Sequence, residues 1–298
     1  MALVYGNTAA TGYTAHYAAT HSPAHKLTAS YGIPENRIHT FTSYEKFKED
    51  LQRCADAFSS GAGKQYIAFS DVPESRMQRI EHGRCRSELP PITPFYDAAV
   101  GELCVKLVSG FHHQMAKSGF SDMVDFKLST HGIPRFALYK LGSTTYIGQS
   151  GRLKEADQAF RPSTRQPTGW PSLVMEIGVS DPLPQLRRDA KFWLEDSGGQ
   201  VNIVIIIAVK KTTKVMTIER WEDRGSTQPQ RQVRPRYDLI CVQALKLREN
   251  GQLSGGGSLL IPASKFFDTL PDGLGPNDIT FTGQDLAEYI QWYWSSVP

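Results

Sequence analysis

No uninterrupted apolar run in this sequence approaches the roughly 20 residues of a membrane span, so a membrane-embedded protein is not expected. Cysteine is scarce. Cys54, Cys85, Cys104 and Cys241 lie far apart with no C-x-x-C pair, which argues against a zinc site and points to reduced thiols inside a cell, in cytoplasm or nucleus. The stretch MALVYGNTAATGYTAHY lacks a basic start followed by an apolar core, so no secretory signal is expected. Neither sign of charge dominates: a formal net charge of +3 is too small to establish a nucleic-acid partner by itself. A phosphate-binding loop is missing as well. SSGAGKQY has the wrong glycine spacing before Lys64 and carries Gln65 where a Ser or Thr would bind magnesium, so it reads as a linker, and no lysine follows the glycines of GQLSGGGS at the spacing a phosphate loop needs. His16, His21, His25 and His39 match no common metal spacing and read as surface histidines.

What is present is a globular composition, 40% hydrophobic and 21% charged, in a chain of 298 residues, long enough for one large domain with extensions. The informative stretch runs from Lys154 to Lys210. Leu173-Val174-Met175 has the character of a buried strand and ends in Glu176, with Gly178 close behind. An ionised carboxylate carried on a buried element needs a metal, an arginine or a lysine beside it. The short KEADQAF segment places Asp157 in a neighbouring candidate strand, and two carboxylates brought together make a minimal site for a hard divalent cation. A helix follows, with Ser180 or Asp181 as cap, Pro182 in its first turn and Gly198-Gly199 at its end. Leu183, Leu186, Ala190, Trp193 and Leu194 form its apolar stripe, with Arg187 and Lys191 on the rim. Val201 to Val209 then reads as a central strand covered on both faces.

These ordered motifs, Lys154-Glu155-Ala156-Asp157, then Pro171, Val174, Glu176, Ile177, Gly178 and Ser180, then Leu186, Arg187, Asp189, Ala190 and Trp193, resemble the PD-(D/E)XK nuclease superfamily, and within it the single-domain members. The resemblance covers about residues 100–222. It implies an α/β, restriction-endonuclease-like mixed central sheet flanked by helices. To this are added an N-terminal extension with one helix over residues 1–65, a domain over 66–298, and extra C-terminal strands and a helix. It further implies a magnesium- or manganese-dependent nuclease acting on nucleic acid, DNA first. Asp157, Glu176 and the Ile177 carbonyl would hold the metal, Lys191 would orient the water, and Arg161, Arg165 and Arg187 would bind substrate. An upstream helix beginning near His112 would bring His113 and Gln114 as auxiliary residues. The departures are Ala156 at the family's proline, Gln114 at its upstream glutamate and Gly178 at its E-x-K lysine. They leave a second reading open, an inactive domain that binds nucleic acid or protein, and a third, Glu176 as a purely structural ion-pair partner of Arg187 or Arg188.

Elsewhere, Tyr44, Phe47, Leu51, Cys54 and Phe58 repeat at helical spacing after a Thr42–Glu45 capping box. Arg135 to Tyr146 reads as strand, turn and strand, and Lys214 to Trp221 as an edge strand. The loop from Arg161 to Trp170 is either a phosphate- and base-binding loop or a solvated loop with one packed tryptophan. Lys210 to Arg236 carries eight Lys or Arg against three acids, a basic patch suited to a polyanion. Thr282 and Asp285 box a last helix, whose aromatic surface either docks on the domain or forms part of a homodimer interface.

Overall fold

The computed structural model describes residues 26–108, 110–180, 183–225, 237–276 and 279–297. In chain order its elements are α1 (Leu27–Ser30), β1 (Ile38–Thr40), α2 (Tyr44–Ser59), β2 (Tyr66–Ser70), α3 (Glu74–Cys85), β3 (Ile92–Asp97), β4 (Glu102–Leu107) and α4 (Gly110–Thr130). Then come β5 (Leu138–Lys140), β6 (Thr145–Ile147), β7 (Leu153–Glu155), β8 (Gln158–Pro162), β9 (Leu173–Val179), α5 (Leu183–Asp196), β10 (Ile203–Lys210) and β11 (Val215–Asp223). The chain closes with β12 (Leu239–Arg248), β13 (Leu253–Ser254), β14 (Ser258–Ile261), α6 (Ala263–Phe266), β15 (Ile279–Thr282) and α7 (Gly283–Ser296). The class is mixed α/β. One sheet has the order β1-β2-β4-β3-β7-β6, a second β13-β12-β11-β10-β9-β8-β5, and β14 pairs with β15. No helix among the described residues is long and apolar enough to cross a membrane.

The stretch read as strand, strand, helix, strand forms in that order. β8 pairs antiparallel with β9, and β9 runs through α5 into the parallel β10, as a parallel pair joined by a crossover helix must. Alternate residues of β9 and β10 enter opposite cores. Leu173, Met175, Ile177 and Val179, with Ile203, Ile205, Ile207 and Val209, pack with α4 residues Ala116, Phe120 and Val124 and α7 residues Leu286, Tyr289 and Ile290. Val174, Val204 and Ile206 pack instead with Leu186, Ala190 and Trp193 of α5 and with Tyr66, Phe95 and Cys104 of the first sheet. A third core fills the other face of that sheet, where Phe47, Leu51 and Phe58 of α2 and Ile80 of α3 meet Ile67, Phe69, Leu103 and Val105. Glu176, an even residue of β9, therefore faces α5 and the first sheet.

Several expectations need correction. The N-terminal extension is part of a sheet: β1 pairs in parallel with β2, so a boundary at residue 65 falls inside one unit, and the supposed linker leads directly into β2 with Gln65 buried. The α2 cap is Ser43, whose hydroxyl accepts the Lys46 N–H at 3.1 Å, rather than a Thr42–Glu45 box. The helix expected to begin near His112 is present, starting at Gly110 after a strand, β4. The two strands in Arg135 to Tyr146 join different sheets. β11 is interior, hydrogen-bonded to β10 and β12. The end of α5 behaves as read, with Gly198 and Gly199 at φ +66° and +79°, and the Thr282–Asp285 capping box of α7 is present. His16, His21, His25, Asp181, Pro182 and residues 226–236 lie outside the described residues.

Candidate functional site

Asp157 stands where the chain leaves β7 of the first sheet and enters β8 of the second. β8 pairs with β9 only as far as Gln158 opposite Met175. Beyond that point side chains take over the strand's role: the Asp157 carboxylate accepts the Ile177 N–H at 2.7 Å, and Gln65 Oε1 accepts the Val179 N–H at 3.1 Å. Asp157 is thus fixed against β9, and Glu176 on that strand is its neighbour. The convergence expected of the two carboxylates is realised.

The group between them is Lys106 of β4. Its ammonium lies 2.5 Å from Asp157 Oδ2 and 2.6 Å from Glu176 Oε2. The remaining oxygens have donors too. Glu176 Oε1 accepts the Trp193 indole N–H at 2.7 Å, with Lys154 Nζ 3.7 Å away. Asp157 Oδ1 accepts a long hydrogen bond from the Thr93 hydroxyl at 3.4 Å and has His113 Nε2 at 3.2 Å, close but not aligned as a hydrogen bond. Asp189 of α5 completes the cluster, accepting from the Lys154 ammonium at 2.7 Å, the Tyr66 hydroxyl at 3.0 Å and the Tyr31 hydroxyl. Asp157, Glu176, Asp189, Lys106 and Lys154 are each 3% exposed or less.

Burial and charge set the protonation of this cluster. Burial alone raises Asp157, but the Lys106 ammonium, then His113, outweigh it and hold the carboxyl well below the usual carboxylate range. Burial pushes Glu176 up to about 7; Lys106 and Lys154 pull it down, while Asp157 and Asp189 add to the rise. One ammonium shared by two carboxylates favours one over the other, and Asp157, which also holds a backbone N–H, is the one kept ionised. Lys106 is shifted upward: burial disfavours its charge, and Asp157, Glu176 and Asp189 overcome that cost. Burial and then Asp189 raise the Tyr31 and Tyr66 hydroxyls well above their ordinary value, so both remain donors.

A hard divalent cation takes about six oxygen ligands, several of them water. Here the carboxylate oxygens of Asp157 and Glu176 already accept hydrogen bonds, and an ammonium lies between the two groups, where a shared metal would have to sit. No group of three or more His, Cys, Asp or Glu among the described residues is arranged to hold a metal ion. The residues as they stand do not fit magnesium or manganese.

The other expected site residues are elsewhere. Lys191 is exposed on the outer side of α5, where it lines an open hollow of about 350 Å³ with Arg188, Tyr31 and Phe192. It makes no contact with Asp157 or Glu176. Arg187 clamps Glu219 of β11 with bonds of 3.0 and 2.6 Å. Arg165 is bidentate to Asp268 and also reaches the carbonyls of Trp170 and Gln200. Arg161 donates to the Pro167 carbonyl under the Tyr139 ring, and Trp170 stacks on Tyr146 at 4.9 Å. Gln114 is exposed while its neighbour His113 is buried against Asp157. Arg161, Arg165 and Arg187 are thus each engaged within the fold, and Trp170 of the inter-strand loop is packed.

Three members of the cluster lay inside the recognised motifs without a site role: Lys154, Asp189 and Trp193. Lys106 was missed altogether. Its signal is a lone lysine within the otherwise apolar Leu103-Cys104-Val105-Lys106-Leu107, a pattern that demands a buried counter-charge. No protein-family model matches this chain, and no curated protein matches it.

Proposed function

We propose that this chain is a restriction-endonuclease-like module that binds nucleic acid without cleaving it, its two-carboxylate centre holding a lysine where a nuclease holds a metal. The observation that carries this reading is the Lys106 ammonium between Asp157 and Glu176, in a cluster with no opening for a phosphodiester. The order of the motifs, with Asp157 and Glu176 side by side before and on β9, supports the scaffold. Loss of the strand lysine at Gly178 and of the upstream acid at Gln114 supports the loss of chemistry. Fold alone does not set function, so the preference for the first reading rests on the centre's own bonding. The ion cluster then acts as a latch: Lys106 and Lys154 belong to the first sheet, Glu176 to the second, and Asp189 to the helix between them.

A metal-dependent nuclease is the second reading, favoured by one specific observation, the meeting of an Asp, a Glu and a Lys within bonding distance. It requires Lys106 to withdraw and the two sheets to part. One experiment tests both: purified chain is incubated with plasmid and single-stranded DNA, with and without magnesium or manganese, and the metals are titrated calorimetrically. The binding-module reading expects no cleavage and no heat of metal binding. Metal-dependent cleavage that Glu176→Gln abolishes overturns it.

A further inference from the structure

The second sheet has an uncovered end on the side occupied by α5. Strand alternation sends Leu245 and Leu247 of β12 into the core, so Lys246 and Arg248 face the opposite way, and both are exposed. The register lines up two rungs across the sheet. Ala208 pairs with Thr217, Thr217 with Lys246 and Lys246 with Ser254; one step along, Lys210 pairs with Val215 and Val215 with Arg248. Small side chains, Ala208, Thr217 and Ser254, keep the floor low, while Leu183 of α5 closes one side. The result is a hollow of about 420 Å³ whose polar lining, among the described residues, is Lys210, Lys246, Arg248, Thr213, Thr217 and Ser254, with no carboxylate among them. Neither Lys246 nor Arg248 has an ion pair or side-chain hydrogen bond with another described residue. Glu219, two residues from Thr217 on the same strand, is paired with the bidentate Arg187.

We infer that this shelf binds the phosphates of a nucleic-acid backbone. The inference rests on the nucleic-acid-binding reading above and assigns it a surface separate from the carboxylate cluster. Two cations on alternate residues of one strand lie about 6.8 Å apart along it, and neighbouring strands add hydroxyl donors about 4.8 Å to either side. That is a flat, two-dimensional array of donors with positive charge and no base-reading edge, which contacts a backbone without selecting a sequence. The floor carries no aromatic side chain, so base stacking adds nothing and affinity comes from charge.

The test is fluorescence anisotropy of a labelled single-stranded oligonucleotide and of a duplex, across a salt series, with the full chain. Lys246→Ser/Arg248→Ser removes two exposed side chains without partners and so leaves the fold intact, which thermal unfolding checks. The variant is expected to lower affinity by about tenfold or more and to reduce the slope of log K against log salt by about 1.4 for the single strand and about 1.8 for the duplex. Lys246→Arg should retain both. Arg188→Ser/Lys191→Ser, on the outer side of α5, should change neither. If the chain binds nucleic acid and the shelf variant keeps the wild-type slope, the shelf is refuted while the binding reading stands. Loss confined to the Arg188/Lys191 variant likewise refutes it. If wild type binds neither oligonucleotide, or binds only vesicles of anionic lipid, both the shelf and the binding reading fall.

Discussion

Replacing Lys106 by methionine keeps the length of the side chain and removes the ammonium that touches both Asp157 and Glu176. In wild type that ammonium is within 2.6 Å of each carboxylate and 3% exposed, so no water can take its place. Breaking a buried ion pair by deleting one partner costs about 3–5 kcal/mol, because a charge is left without compensation. Glu176 can relieve part of this by holding a proton, which is cheap near pH 7, where it already titrates. Asp157 cannot do so as readily, since it still accepts the Ile177 N–H. The expected loss is therefore about 3 kcal/mol at pH 7. Each further pH unit makes the retained proton about 1.4 kcal/mol more expensive, so the loss grows to about 5 kcal/mol near pH 8.5. Urea unfolding followed by tryptophan fluorescence reads this directly, since Trp170 and Trp193 lie on the same core. Lys106→Met/Asp157→Asn, which removes charge from both sides, should recover most of the loss. A Lys106→Met protein within about 1 kcal/mol of wild type, or a loss that does not grow with pH, would refute the reasoning. If magnesium stabilises Lys106→Met but not wild type, the ammonium stands on a position able to bind a metal.

Glu176 has a native pKa near 7 against an ordinary 4.5, so the native state holds a proton that the unfolded chain releases; this stabilisation is full below about pH 4.5 and is lost as pH rises through about 7. Wild type should lose about 3 kcal/mol across that window relative to Glu176→Gln, and parallel stability curves for the two proteins would be the wrong outcome. Gly119→Ala should destabilise by about 1–3 kcal/mol, because an added Cβ would stand 2.3 Å from the Trp292 ring and 2.8 Å from that of Tyr289; unchanged thermal unfolding would mean that α4 and α7 are less closely seated than described. Thr282→Ala removes the hydroxyl that accepts the Asp285 N–H and should cost about 1 kcal/mol in urea unfolding, with no effect on nucleic-acid binding.

The α/β class, the succession from β8 to β10, the meeting of Asp157 with Glu176, the glycine end of α5 and the start of α7 were legible in the sequence because each rests on local signals: apolar runs of strand length, a helical stripe, a glycine pair, a capping box. The first sheet was not legible. Its pairings reach far along the chain, as where Phe95 of β3 meets Lys154 of β7, and a short strand such as Ile38–Thr40 has no pattern of its own to declare it. The centre divides in the same way. The sequence by itself determined that Glu176 and Asp157 carry buried charge and so require a cation. Only the tertiary structure decided which one: the rim of α5 offered Lys191 and Arg187, but helix packing turns Lys191 outward and gives Arg187 to Glu219, while β4, 51 residues before Asp157, delivers Lys106. A counter-charge is demanded by the local dielectric, but its source is set by whichever strand packs across the gap.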